Sequence, residues 1–371
     1  MRTILLGTTA LVAAGLAAGP GWAADPVALN LGGYYRTAVG AILDDDDDAG
    51  EGGVNAHDYF HEQDVEVHFT GKTTLDNGLT VGVNVQLEGQ TQGGDQIDET
   101  WAYVSGSWGE LRIGDEDNVA YNFAYIAPYV GLFGPTTPWF QFSNAGLAAG
   151  NALGSATNFE AFDFYNDMTQ LYYTTPVFSG FQLGVSYAPD QSQDTRSNPG
   201  GAFGAGPLVG NSSEDIWSVA AGYSREFETW TLGLSAGYLT SSDEGGAGTD
   251  ADTWGGAAVF GFGEWKFGGG YQKLDADNFV FEYELWDIGL TWRRAAWGVG
   301  LGFSQTNTEA GVAGAEEDTN DVWVLGVSYS MGPGVTLSGA LSYNAFDNNA
   351  AGGAGPDYDA TSAMMGLQID Y

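Results

Sequence analysis

The sequence predicts an all-β protein, a transmembrane antiparallel β-barrel of about sixteen strands. Three observations predict it. Residues 27–371 alternate apolar with polar or Gly residues at period two, again and again. The connections alternate long and short, and both ends of the repeating region fall on the short-turn side. Beyond the N-terminal segment no run of about 18 apolar residues remains to form a membrane helix, so any span must be made of strands. The composition agrees: 58 Gly and 14% aromatic residues suit crowded, curved sheet better than helix. The absence of Cys removes disulfide and thiolate chemistry.

The elements follow in order. Residues 1–23 read as a secretory signal: Arg2 is the charged start, Thr3–Gly19 the apolar stretch, and Gly21-Trp22-Ala23 places small residues at the cut. The exported barrel domain is then 24–371. Its first candidate strands are 27–43, 59–75 and 79–88. In the third, Leu79, Val81, Val83, Val85 and Leu87 alternate with Thr80, Gly82, Asn84, Gln86 and Glu88, after a hairpin signal at Asp76-Asn77-Gly78. Strands 97–107 and 110–114 lead into an outsized third connection, 115–167. The remaining candidates are 168–175, 181–189, 214–226, 230–240, 253–262, 265–274, 279–294, 297–306, 321–330, 335–345 and 360–371. Long connections at 44–58, 89–96, 190–213, 241–252, 307–320 and 346–359 share the side of the third; 275–278 is the short member of that set. A water-soluble sandwich would also alternate, but it has no reason to sort its loops by length. Aromatics frame the strands, Trp101, Tyr187, Trp217, Tyr238, Trp297 and Tyr343 among them, as interfacial girdles would. Many Gly fall on the polar strand face, where a missing side chain is expected to leave room for water.

The last strand alternates Ala363, Met365, Leu367, Ile369 and Tyr371 with Met364, Gly366, Gln368 and Asp370. A terminal amphipathic strand ending on an aromatic resembles the signal that the outer-membrane assembly machinery reads, which gives Tyr371 that role. Signal segment, strand number, long third loop and terminal aromatic together resemble a general diffusion porin of Gram-negative bacteria. Gly109-Glu110-Leu111-Arg112-Ile113-Gly114-Asp115-Glu116-Asp117 is similar to the fifth strand and third-loop entry of alphaproteobacterial porins. The resemblance implies an outer-membrane homotrimer in contact with lipid and lipopolysaccharide. It also implies a third loop folded into the lumen, passage of small hydrophilic solutes, and no enzymatic activity.

Charge gives that expectation a direction. Asp and Glu number 48 against ten Lys and Arg, a formal net charge of −38, which excludes nucleic-acid partners. Loss of 1–23 removes Arg2 and no acid, so the exported chain stands at −39. Most acids fall in the long connections, and most bases lie near the short turns. An acidic mouth concentrates cations. The third loop has no Lys or Arg. Its acids sit at its ends: Asp115, Glu116 and Asp117, then Glu160, Asp163 and Asp167. Its centre is uncharged and rich in aromatics, including Tyr121, Phe123, Tyr125, Tyr129, Phe133, Trp139, Phe140 and Phe142, which argues that it packs inside the barrel. By the resemblance, the loop carboxylates face a basic wall, for which Arg36, Lys72 and Arg112 are the matching positions. The bases are few, so cation preference is expected to dominate. A sugar-specific porin, with solute stacked on the loop aromatics, is one alternative. A secreted calcium-binding β-protein or adhesin is another.

No cofactor is required by these readings. Calcium takes carboxylate oxygens of the kind offered by Asp44, Asp45, Asp46, Asp47 and Asp48, although a solvated, self-repelling run has the same sequence. Two Gly-rich segments containing Asp250 and Asp252, and Asp357 and Asp359, match the start of a calcium nonapeptide but are not tandem. Gly233-Leu234-Ser235-Ala236-Gly237 matches a hydrolase nucleophile elbow, yet His57, His61 and His68 all precede it and Ser235 lies in a clean strand, so the match is rejected. The three His straddle a loop and a strand start, which disfavours a metal site.

Overall fold

A computed structural model describes residues 25–45, 59–89, 97–137, 158–191, 213–242, 250–276, 281–310, 317–347 and 358–371. They form one closed antiparallel barrel of sixteen strands, each paired with its sequence neighbours and the first paired with the last. The strands are β1 (Ala28–Asp45), β2 (Tyr59–Thr74), β3 (Thr80–Glu88), β4 (Ile97–Gly106), β5 (Gly109–Glu116), β6 (Met168–Thr174), β7 (Phe181–Asp190) and β8 (Glu214–Glu226). They continue as β9 (Trp230–Ser242), β10 (Ala251–Phe262), β11 (Trp265–Ala276), β12 (Phe281–Arg294), β13 (Trp297–Ala310), β14 (Asp318–Gly332), β15 (Val335–Asp347) and β16 (Tyr358–Asp370). Each overlaps its sequence-expected counterpart. The signal segment 1–23 lies outside the described residues.

The period-two pattern becomes an apolar exterior. Leu301, Leu325 and Leu341 lie side by side on β13, β14 and β15 and are each about half exposed, at 48%, 50% and 50%. A water-soluble barrel would not turn such a band outward. Aromatics flank it. Trp217 meets Tyr187, and Phe303 is held between Trp286 and Trp323 toward the long-loop end. Trp297 meets Tyr329 toward the short-turn end. Trp101 departs from the girdle expectation. It pairs with Asn84 and Gly114, on the inner face, and its ring covers Arg112.

The seam is closed by the chain end. Tyr371 N donates to the Gly33 carbonyl at 3.1 Å, its own carbonyl accepts from Gly33 N at 3.0 Å, and its hydroxyl donates to the Glu66 carbonyl at 3.0 Å. Gly33 has φ +142°, and a Cβ there would lie 2.1 Å from the Glu66 carbonyl oxygen, so this close approach requires Gly.

The third loop enters the barrel. It opens with one short helix, α1 (Val119–Phe123), and returns through a 3-10 turn at Ala161–Tyr165. The described residues up to 137 and from 158 onward run along the inner wall. The amides of Val119, Ala120 and Tyr125 donate to the hydroxyls of Ser186 on β7, Ser218 on β8 and Ser235 on β9. Further on, Ala127 N reaches Asp287 on β12 and Leu132 N reaches Ser338 on β15. Ser235, the rejected nucleophile, is therefore a loop anchor.

Several lumen-facing Gly seat the loop rather than leaving room for water, contrary to expectation. A Cβ on Gly184 would lie 2.2 Å from Val119, and one on Gly289 would lie 2.3 Å from the Pro128 carbonyl oxygen. Gly237, Gly302 and Gly366 would meet Ala120, Pro135 and Leu132 in the same way. The barrel's buried apolar contacts are consequently inside the lumen. Phe162, Tyr165 and Ala120 of the loop pack with Leu239, Leu274 and Leu285 of the wall.

Candidate functional site

The described loop residues cover the wall from β7 round to β16 and touch Ala38 of β1, so the β2–β5 wall and the lower part of β1 face the remaining lumen. Alternation fixes which side chains line it. On β1, Leu29 and Leu31 are exposed outside, which turns Tyr34 and Arg36 inward. Across from them on β2 stand Glu66 and Asp64. Arg36 Nη1 donates to Asp64 Oδ2 at 3.1 Å and its guanidinium lies 3.7 Å over the Tyr34 ring. Glu66 accepts from the Tyr34 hydroxyl, and its second oxygen is 2.6 Å from His68 Nε2. On β3, Glu88 pairs with Glu66 in register.

A β-bulge then brings in two acids that simple alternation separates. The β3–β4 register shifts between Val85 and Leu87, so that Asp98 and Glu99 together oppose the single inward residue Gln86. Gln86 Nε2 donates to Glu99, which also receives the Asp117 amide. The carboxylate oxygens of Glu66, Glu88 and Asp98 lie within 4.8 Å of one another, as do those of Glu99, Asp117 and Asp167. Both groups are close enough for one cation to bridge. Together they form an arc running from β2 to the two stems of the loop.

The six expected loop acids separate. Asp117 and Asp167 join the arc. Asp163 sits nearby and accepts from Asn166 Nδ2 at 3.1 Å, while Glu160 accepts from Gln272 Nε2 at 3.1 Å. Asp115 is on the other strand face, shared with Leu111 and Ile113, and accepts from the Thr169 hydroxyl. Glu116 faces inward but is only 4% exposed and is bound to Arg112. Burial is the main influence on the loop carboxyls. It pushes Asp117 up to about 9, with the Asp167, Glu99 and Asp163 charges adding to the shift. Asp167 rises to about 7 by burial and the charge of Asp98. Glu160 rises to about 7 by burial, against the hydrogen bond from Gln272.

The expected basic wall does not assemble. Arg112 Nε and Nη1 donate to Glu110 and Glu116 at 2.8 and 2.9 Å, on its own strand, between the rings of Trp101 and Tyr172. It stands beside the acids rather than across from them. Lys72 pairs with Ala28, the first residue of β1, and so lies at the short-turn rim. Arg36 alone holds mid-wall, already paired to Asp64.

A closed sixteen-strand barrel with its third loop packed into the lumen is a channel architecture, and the family model described as Gram-negative porin matches residues 7–350. The chain belongs to the Gram-negative porin family. Solved structures share the fold. The anion-selective porin from Comamonas acidovorans has 18% identity and a TM-score of 0.63, covering 93% of this chain and 100% of that one. OmpT of Vibrio cholerae, folded in vitro and in trimer form, has 16% identity and a TM-score of 0.61 over 94% and 100%. A Rh. blastica porin variant has 17% identity and a TM-score of 0.53 over 93% and 100%. No curated protein matches the sequence. This porin resides in the outer membrane.

Sequence reasoning missed Glu66, Glu88, Asp98 and Glu99 of this porin's lumen. Alternation in 59–75 and 79–88 already placed Glu66 and Glu88 opposite the apolar face. The bulge at Asp98-Glu99 left no such signal. Of the calcium candidates, Asp252 accepts from the Tyr238 hydroxyl at 2.6 Å and Asp359 from the Tyr343 hydroxyl at 3.3 Å. Asp250 directly precedes β10, and Asp44 and Asp45 close β1. Asp46, Asp47, Asp48 and Asp357 lie outside the described residues, as do Trp139, Phe140 and Phe142.

Proposed function

We propose that this porin is a water-filled, cation-preferring channel for passive diffusion of small hydrophilic solutes and ions, and that it works as a homotrimer. One observation carries the preference. The mid-lumen cations Arg36 and Arg112 are each matched by carboxylates, and Glu88, Asp98, Glu99, Asp117 and Asp167 stand in excess of them. A low-dielectric passage lined by one sign of charge concentrates the opposite ion. The anion selectivity of the Comamonas porin belongs to that protein, at 18% identity. The trimer form of Vibrio cholerae OmpT supports self-association here. A general rather than sugar-specific channel is favoured because the described loop aromatics are engaged with the wall. Phe123 lies against Gly184 and Gly222, and Tyr125 against Gly233.

Calcium enters this reading as a counter-ion drawn by the acidic loops, and lipopolysaccharide and the assembly machinery as the surroundings of the barrel. The test is a planar-bilayer reversal potential across a potassium chloride gradient, with and without calcium. A potential of the cation-selective sign is expected, and an anion-selective one overturns the preference.

A further inference from the structure

The geometry points to the barrel wall, through Glu66, Glu88 and Asp98, as the main determinant of ion selectivity in this porin, with the constriction loop secondary. This rests on the cation preference proposed above and names the residues that produce it.

The loop acids are poorly placed for the task. Asp115 is on the outer strand face, and Glu116 is buried and spent on Arg112. Glu160 is held by Gln272 at the wall on β11. Asp117 and Asp167 stand at the two stems of the loop, in a separate group with Glu99. The wall acids lie on the strands themselves. Glu66, Glu88 and Asp98 each come from a different strand, β2, β3 and β4, and converge on one patch of the uncovered side of the lumen.

The compensating charges nearby are already committed. Arg36 lies against Asp64, and His68 Nε2 contacts one oxygen of Glu66 at 2.6 Å. The wall opposite the docked loop is therefore acidic where the resemblance led to the expectation of a basic one. Among the described residues the only base seen against the docked loop is Arg293, held by the Tyr129 carbonyl, and a field of one predominant sign selects by net charge. Its members must act together: three carboxylates within 4.8 Å of each other repel, and a passing cation relieves all three at once.

The absence of Cys makes a clean test in the folded channel. The variant Glu88→Cys is refolded, inserted in planar bilayers and labelled in place with a cationic or an anionic thiosulfonate. The cationic label is expected to lower the cation-to-anion permeability ratio about threefold at low salt, and the anionic label to restore it. The triple variant Glu66→Gln, Glu88→Gln, Asp98→Asn should lower the ratio further than the loop variant Asp117→Asn, Asp163→Asn, Asp167→Asn. Labelling reads the same folded channel before and after, so misfolding of the triple variant does not blunt the test. If the parent protein is cation-selective but neither the label nor the triple variant moves its reversal potential, the wall assignment is overturned and the channel reading stands. If the parent protein itself lacks cation preference, the functional reading beneath it fails.

Discussion

Asn118 Nδ2 donates to the carbonyl of Tyr165 at 2.8 Å, which ties the first turn of the constriction loop to its last. The same nitrogen serves Phe162 at 2.9 Å, and Asn118 Oδ1 caps α1 by accepting from Tyr121 N at 3.0 Å. The side chain is fully buried. Replacing it with Ala strands two buried carbonyls and removes the cap, a loss of about 3 kcal/mol concentrated in the loop. The barrel ladder does not pass through Asn118. Asn118→Ala should therefore keep its heat-resistant folded band while its single-channel current becomes noisier. A quiet trace from that variant would show that the loop does not depend on this clasp.

Gly289 is required by the loop rather than by its strand. A methyl group there would come within 2.3 Å of the Pro128 carbonyl oxygen, a backbone atom with no flexible side chain to yield. Gly289→Ala should displace the loop and change the open-channel conductance. Gly339 gives the control. It pairs with Val327 on the outer face, where a Cβ would make ordinary contact at 3.4 Å. Gly339→Ala should conduct like the parent, and equal conductance in both variants would mean the loop does not rest on Gly289.

The contrast between these two glycines marks how far the sequence could be read. Strand number, the loop that enters the lumen and the inward turn of Arg36 follow from period two and from the aromatic content of 118–159. Those are local signals. Which inward Gly meets Val119 or Pro128 depends on where the loop lies across the wall, a non-local packing result with no periodic trace. Trp101 sits near a strand end, which by sequence alone makes it a girdle residue. Its face was decided by pairing with Asn84. The bulge at Asp98-Glu99 reset parity within one strand, which no pattern of alternating residues announces.

Arg112 holds two carboxylates and two rings. Arg112→Gln leaves Glu116, 4% exposed, without its cation, and breaking a pair buried in this way costs about 3–5 kcal/mol. Arg112→Lys keeps the charge but loses the fork and the stacking between Trp101 and Tyr172. Thermal unfolding should fall in the order parent, Lys, Gln. The Gln variant should also be the more cation-selective of the two, because it removes a positive charge from the lumen. A Gln variant as stable as the parent would place the strength of this region elsewhere.

Selectivity should depend on pH through the loop stems. Asp117 is pushed up to about 9, and Asp167 and Glu160 to about 7, by burial and neighbouring carboxylates. Each is neutral below its value and negative above it. Cation preference should accordingly rise as pH climbs from about 6 to about 10. Stability should move the other way. In the unfolded chain these groups lose their protons near pH 4, so across the interval up to their folded values the native state holds more protons, and folding weakens as pH rises. Reversal potentials and heat-dissociation temperatures measured across that range should thus slope in opposite directions. In Asp117→Asn, Asp167→Asn both slopes should become shallower, since two of the three titrating groups are gone. Unaltered slopes in that double variant would assign the titration to carboxyls other than those at the loop stems.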